Sequence, residues 1–243
     1  MRYLLVLVLM SSCAPLYLPA TRNAPLFTEG GEAQLSGYIS SAGIEGQAAY
    51  SLTDNIAVIG SYAYANQKKT SNGVEYTRKN SYAEIGLGLY NTTRSSRWEI
   101  FAGYGFGEST SSDVYGFFSP PLSPGTETVA TGKLQRFFIQ PSIGTNNRGT
   151  NVAFTPKISW VDFTEFSTDN GGQPLTAKPD EKPGLFLEPA VTIKFHLTGN
   201  LFGVAQLGLA VPVSGGDYFK YQQLSASLGI QIDTGGLKTR VYK

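Results

Sequence analysis

The chain is poor in charge, in histidine and in cysteine, and each shortage excludes something. Asp, Glu, Lys and Arg make up only 15% of the 243 residues, against roughly a quarter in soluble domains. The net charge is +1, so no electrostatic signal points to nucleic acid. A single cysteine excludes an intramolecular disulfide framework and any zinc site of paired cysteines. What the chain has instead is 28 Gly, 14 Tyr and 14 Phe. Low charge with abundant Tyr and Gly suits strands that face something other than water, although a soluble all-β sandwich shares this composition.

The N-terminus reads as an address. Met1-Arg2 is followed by the apolar run from Tyr3 to Met10 and then by Ser11-Ser12-Cys13. A positive start, a short apolar core and small residues before a cleavage point are the parts of a secretory signal. The run is about half of the ~20 residues a spanning helix needs. Small residues directly before the lone cysteine resemble the lipobox of bacterial lipoproteins, with Met10 standing where Leu is usual. That resemblance implies a signal peptide over 1–12, acyl chains such as palmitate on Cys13, and, with Ala14 rather than Asp next, the outer membrane of a Gram-negative bacterium as destination. Two or more acyl chains anchor stably. Residues 13–31, with Pro15, Pro19 and Pro25 and closing on Gly30-Gly31, read as an extended lipidated tether at the periplasmic leaflet.

From residue 32 on, period-two alternation recurs about ten times. Between Leu185 and Leu197 the odd positions are all apolar, and the even ones include Glu188, Thr192, Lys194 and His196. Successive side chains of a strand point to opposite faces, so the pattern marks two-faced strands. Similar runs fall near 33–40, 43–52, 55–65, 79–90, 97–108, 131–145, 150–164, 201–211 and 218–232. Short turns at 53–55, 92–96, 146–149 and 198–200 alternate with longer loops at 66–78, 109–130 and 165–183. Short connections on one side and long ones on the other are the pattern of outer-membrane barrels, short turns periplasmic. Tyr62, Tyr64, Trp98, Tyr104, Phe106, Phe154 and Trp160 fall on the apolar face near strand ends, as interfacial girdles do.

The pattern across 32–232 is similar to that of small outer-membrane barrels of the OmpA and OmpX kind, and the strand Ser227–Ile232 partly matches the C-terminal signal read by the barrel-assembly machinery, with aliphatic residues where an aromatic is usual. The resemblance implies an all-β fold: one antiparallel transmembrane β-barrel over 32–233, about ten strands with eight as the alternative, and a periplasmic tail over 234–243. Parity then sends Glu45, Glu84, Glu99, Glu188, Arg136, Lys157 and Lys194 to the lumen. An unpaired buried charge is costly, so near-balance predicts a cross-lumen ion-pair network rather than a selectivity ring. Ten strands give a backbone radius of about 10 Å, which inward Tyr82, Tyr90, Phe101, Phe138 and Phe186 fill. Inward Gly86, Gly88, Gly103, Gly105 and Gly107 form a dent for aromatics from the far wall.

Gly103-Tyr104-Gly105-Phe106-Gly107 superficially imitates a phosphate loop, but its glycines alternate within a strand and no helix follows. His196, the only histidine, lies beside the turn at 198–200. That is the wrong end for a lipid-modifying Ser–His pair in the outer leaflet. The acids form no metal cluster, and Asp180-Glu181-Lys182 reads as a solvated loop. The expectation is a non-enzymatic outer-membrane lipoprotein barrel without cofactor, a scaffold or accessory subunit with a largely plugged lumen. Its contacts would be outer-membrane lipids and, through its loops, a complex in that membrane. A narrow solute pore is the alternative, and a lipid-modifying enzyme is a third.

Overall fold

In the computed structural model the described residues are 15–71, 74–113, 128–147, 149–170, 174–177, 182–216 and 219–235. They form one antiparallel sheet of β1 (Ala33–Ser40), β2 (Gly43–Ser51), β3 (Ile56–Ser71), β4 (Val74–Thr92), β5 (Ser96–Asp113), β6 (Thr128–Thr145), β7 (Thr150–Asn170), β8 (Pro174–Ala177), β9 (Gly184–Thr198), β10 (Leu201–Leu209), β11 (Val211–Ser214) and β12 (Leu224–Asp233). Each long strand pairs with its sequence neighbours, β7 pairs with β9, and β12 returns to β1 through Gln34↔Asp233 to Ser40↔Ser227. That pairing closes a ten-stranded barrel. The four-residue strands β8 and β11 extend the wall at the loop end against β7 and β9. A closed sheet leaves no free edge, and the two stacked sheets of a sandwich are absent from the described residues.

The alternation divides inside from outside. Outward side chains include Ile39 at 77% exposure, Leu228 at 69%, and Ile44, Ile85 and Leu207. Inward ones include the buried Glu84, Arg136, Lys157, Glu188, Gln140 and Gln206. Polar residues are buried and large apolar ones exposed, the reverse of a protein dissolved in water. All seven aromatics read as girdle residues face outward; Tyr104, Phe137 and Trp160 lie in register across β5, β6 and β7.

The strands differ from expectation in length. β3 to β7 continue beyond the alternating runs, so most of the segment read as a loop at 66–78 is strand, in register from Asn66↔Lys79 to Ser71↔Val74. The extensions are polar in sequence on both faces, and even the buried Ser109, Ser111 and Ser112 are not apolar, so the hydrophobic period of two vanishes while the hydrogen-bond ladder continues. At the other end of the count, β12 starts at Leu224 rather than near 218. One side of the barrel therefore stands taller than the side formed by β1, β2, β10 and β12.

The largest correction concerns the tether. From residue 15 it is no tether: residues 15–27 are buried throughout and run inside the barrel. Leu16 and Tyr17 donate their N–H groups to Lys220 O, and Gln222 N–H donates to Tyr17 O, at the loop end between β11 and β12. Gly31 N–H donates to Ser51 O and Gly30 N–H to Asp54 Oδ1, at the turn end. The strap thus spans the lumen from mouth to mouth. Its described N-terminal end lies at the loop end, not on the side where a periplasmic tether would place it. A ten-strand wall of about 10 Å radius, less about 5 Å of inward side chain, leaves a bore about 10 Å wide, the width of one extended chain.

Candidate functional site

The site is the interface between strap and lumen wall. It is held first through the backbone. An extended segment away from any sheet edge has no ladder partner, and its buried N–H and C=O groups must find others. Inward Gln and Glu side chains supply them. Glu45 Oε2 accepts from Thr21 N–H at 2.8 Å, and Gln47 Nε2 donates to Thr21 O at 2.7 Å. Gln206 does both for Arg22, accepting from its N–H at 2.8 Å and donating to its O at 3.0 Å. Gln140 Nε2 donates to Asn23 O at 2.7 Å. Gln34 Nε2 and Lys194 Nζ each donate to Pro25 O at 3.0 Å.

Leu26 is the one described non-glycine residue with positive φ, at 57°, a conformation that costs a bulky residue roughly 1–3 kcal/mol. Two charged side chains hold it. Glu99 Oε2 accepts from its N–H at 2.9 Å, and Arg97 donates to its O at 2.7 Å. Below this bend the strap is capped by Glu32, whose Oε1 accepts from Thr28 N–H, Glu29 N–H and the Thr28 hydroxyl. Burial pushes the Glu32 carboxyl pKa up, and those donors oppose the shift.

The lumen is layered along its axis. Near the loop end Leu16 and Tyr17 pack with Tyr82, Leu134, Val161, Phe163, Phe186 and Phe219. Near the turn end Phe27 packs with Tyr90, Phe101 and Phe138. Between them lies a charged layer. Glu84 takes a charge-assisted bond from Arg136 and two from Lys157 Nζ at 3.0 and 2.9 Å. The Tyr17 hydroxyl donates to Glu188 and accepts from Arg136 at 2.6 Å. Arg22 and Arg136 approach Glu188 Oε2 at 3.7 and 3.8 Å. Lys157 also sits 4.0 Å over the Phe138 ring.

All seven charged residues assigned to the lumen are buried there, but they do not form one network. Glu84, Glu188, Arg136 and Lys157 meet at the centre. Glu45, Glu99 and Lys194 hold strap backbone instead. Sequence reasoning missed Tyr17 and Arg22. With Arg22 included, the buried charges among the described residues are five acids (Glu32, Glu45, Glu84, Glu99, Glu188) and four bases (Arg22, Arg136, Lys157, Lys194), so the strap supplies one of the compensating cations. A legible signal was the recurrence of Gln at inward positions 34, 47, 140, 206 and 231. An amide carries both donor and acceptor and so matches a peptide backbone.

The glycine dent is filled from nearer than expected. Phe138, Tyr82 and Phe101 lie over Gly103, Gly107 and Gly88, their directly opposed cross-strand partners, not reaching from the far wall. A Cβ on Gly103 would lie 2.2 Å from Ile85 O and 2.5 Å from Phe138 Cζ. Gly103→Ala is therefore expected to destabilise the barrel by about 1–3 kcal/mol, whereas Gly46→Ala, with nothing within 4 Å of its Cβ position, leaves it unchanged. The conversion temperature of the folded, heat-modifiable gel form reads both; equal temperatures for the two variants would contradict the packing account.

His196 is exposed, with Nε2 2.9 Å from Gly199 O and its ring edge-on to Phe202. Among the described residues no group of three His, Cys, Asp or Glu could hold a metal. Cys13, 114–127 within the longest loop, and the tail from 236 lie outside the described residues.

No protein-family model matches the chain, and no curated protein matches it. Among solved structures it is similar to the translocator domain of the autotransporter NalP from Neisseria meningitidis, with TM-score 0.46, 11% identity, and 83% of this chain and 86% of that one covered. It is also similar to a Pseudomonas aeruginosa FadL homologue, with TM-score 0.34, 7% identity, and 86% and 90% covered. A third likeness is to OmpT of Vibrio cholerae, with TM-score 0.21, 7% identity, and 89% and 100% covered.

Proposed function

We propose that this chain is an outer-membrane β-barrel lipoprotein serving as a scaffold or accessory subunit, its lumen closed by its own N-terminal strap. The observation that carries the reading is the burial of residues 15–27 along the whole bore, with their backbone groups taken up by inward side chains. Membrane insertion is supported by the apolar outer belt, since exposed apolar patches this extensive are not kept in water. No described helix is long and apolar enough to cross a bilayer, and strands cross in its place. Outer-membrane orientation is supported by the short turns on one side and the long connections on the other. A solute passing the lumen would have to displace the strap, which favours a structural role over a pore. His196, tied to its turn at the end away from the outer leaflet, offers no support for lipid chemistry.

Purified full-length protein in planar bilayers is expected to show no steady unitary conductance; a steady open level would overturn the closed-scaffold reading. The lipid assignment has its own check. Labelled palmitate is expected to enter the wild-type chain and to be lost in Cys13→Ser, and equal labelling of the two would remove Cys13 as the acylation site. Co-purification in mild detergent then identifies what the loop face holds.

A further inference from the structure

We infer that the chain threads its own barrel, so that residues preceding Pro15 emerge on the outer cell surface while residues following Gly235 stay in the periplasm. The inference rests on the orientation proposed above and goes beyond it: it assigns the two ends of one chain to opposite sides of the membrane. A periplasmic tether would have put them on the same side.

Two independent sets of contacts fix the direction of the strap. At the loop mouth, Leu16 and Tyr17 form backbone hydrogen bonds to the segment just before β12, including the parallel bridge Tyr17↔Tyr221. At the turn mouth, Phe27 O accepts from Thr92 Oγ1 at 2.7 Å and Gly31 bonds Ser51. The C-terminal end of the barrel lies at this same turn mouth, where Asp233 N–H donates to Asn200 O and Thr234 N–H to Ala33 O. Between the mouths the wall is continuous, because every neighbouring pair of barrel strands is hydrogen-bonded and β12 pairs β1. A chain that is inside at residue 20 and bonded to the loop mouth at residue 16 has no lateral exit back to the turn side.

The nature of the contacts explains how a chain can be accommodated there. Glu45, Gln47, Gln206, Gln140, Gln34, Lys194, Glu99 and Arg97 all address N–H or C=O groups of the strap. Those groups are common to any sequence, so the wall recognises an extended polypeptide as such. Register comes from Tyr17 and Arg22, whose side chains reach Glu188, and from Thr21, whose hydroxyl donates to Glu45 at 3.0 Å. A consequence concerns Cys13. Two residues span at most about 7 Å, so an acyl group there belongs to the loop side and the outer leaflet, opposite to the anchor expected from the sequence.

The test uses the full chain in cells. One variant carries an epitope between Ala14 and Pro15, and a second carries it after Lys243. The first is expected to bind antibody on intact cells and the second only after the outer membrane is opened. Both epitopes on the same side, whichever side it is, would overturn the threading. An N-terminal epitope hidden and a C-terminal one exposed would keep the threading and overturn the proposed orientation. Should the insertion prevent folding, the pair Tyr17→Cys with Tyr221→Cys reports instead. Oxidation is expected to cross-link most of the folded, heat-modifiable form, with each single variant as control; a folded barrel that forms no such disulfide would overturn the threading.

Discussion

Removing residues 15–27 while joining Ala14 to Thr28 is expected to give a pore with discrete open levels in planar bilayers, where the full chain is expected to show none. The barrel itself should survive the deletion. Its strands are held by ladders that close through β12 and β1, and the strap contributes to no barrel strand. What the deletion removes is the filling of a bore about 10 Å wide. The side chains it leaves behind, Glu45, Gln47, Gln140, Gln206, Glu99 and Lys194, are polar and accept water once the backbone they bind has gone. Loss of Arg22 leaves five buried acids (Glu32, Glu45, Glu84, Glu99 and Glu188) against three bases, Arg136, Lys157 and Lys194, so the pore should prefer cations and lose part of that preference at high salt. A deletion variant that folds yet stays insulating would mean that the aromatic layers of the wall close the lumen unaided.

The barrel was legible in the sequence because its signal is periodic and repeated. Alternation in β9 and β10 places the inward and outward residues on the correct side except beside the bulge at Leu201/Phe202, where His196 is exposed and Gly203 buried, and turn parity orders the strands. The extensions of β3 to β7 were not legible, since a strand with polar residues on both faces has no hydrophobic period to read. The strap was illegible for a different physical reason. An extended segment held by side chains has no periodicity of its own, and its three prolines and short apolar groups have the composition of a linker. Its partners were visible only as polar residues lacking an assigned role. Counting lumen charges from the wall alone gave four acids and three bases; a further buried cation, Arg22, lay in the segment read as tether, and a further buried acid, Glu32, just after it. The glycines of β4 and β5 were placed on the right face. Parity cannot show, however, that each opposed aromatic would fold over the adjacent glycine instead of reaching across.

Arg22→Met is expected to release the strap while leaving the barrel folded. The guanidinium donates to Ala20 O at 2.9 Å, Leu209 O at 3.1 Å and Glu188 O at 3.3 Å, and lies 3.7 Å from Glu188 Oε2. It is fully buried, and a methionine of similar length fills its volume but makes none of these bonds. Breaking a buried pair from one side costs about 3–5 kcal/mol, because the remaining charge is left uncompensated. The lower end applies here, since Arg136 and Tyr17 still face Glu188. Strap amides should therefore exchange hydrogen about a hundredfold faster or more, at roughly 1.4 kcal/mol per tenfold, while amides of β5 and β6 keep their protection. The second substitution separates charge from packing. If the cost of Arg22→Met is mainly the unbalanced carboxylate, adding Glu188→Gln should recover part of it, and the double variant should open less often than the single one. A double variant that opens more often than Arg22→Met alone would show that Glu188 holds the strap chiefly through Tyr17, and that the pairing of its charge with Arg22 is not what keeps the lumen closed.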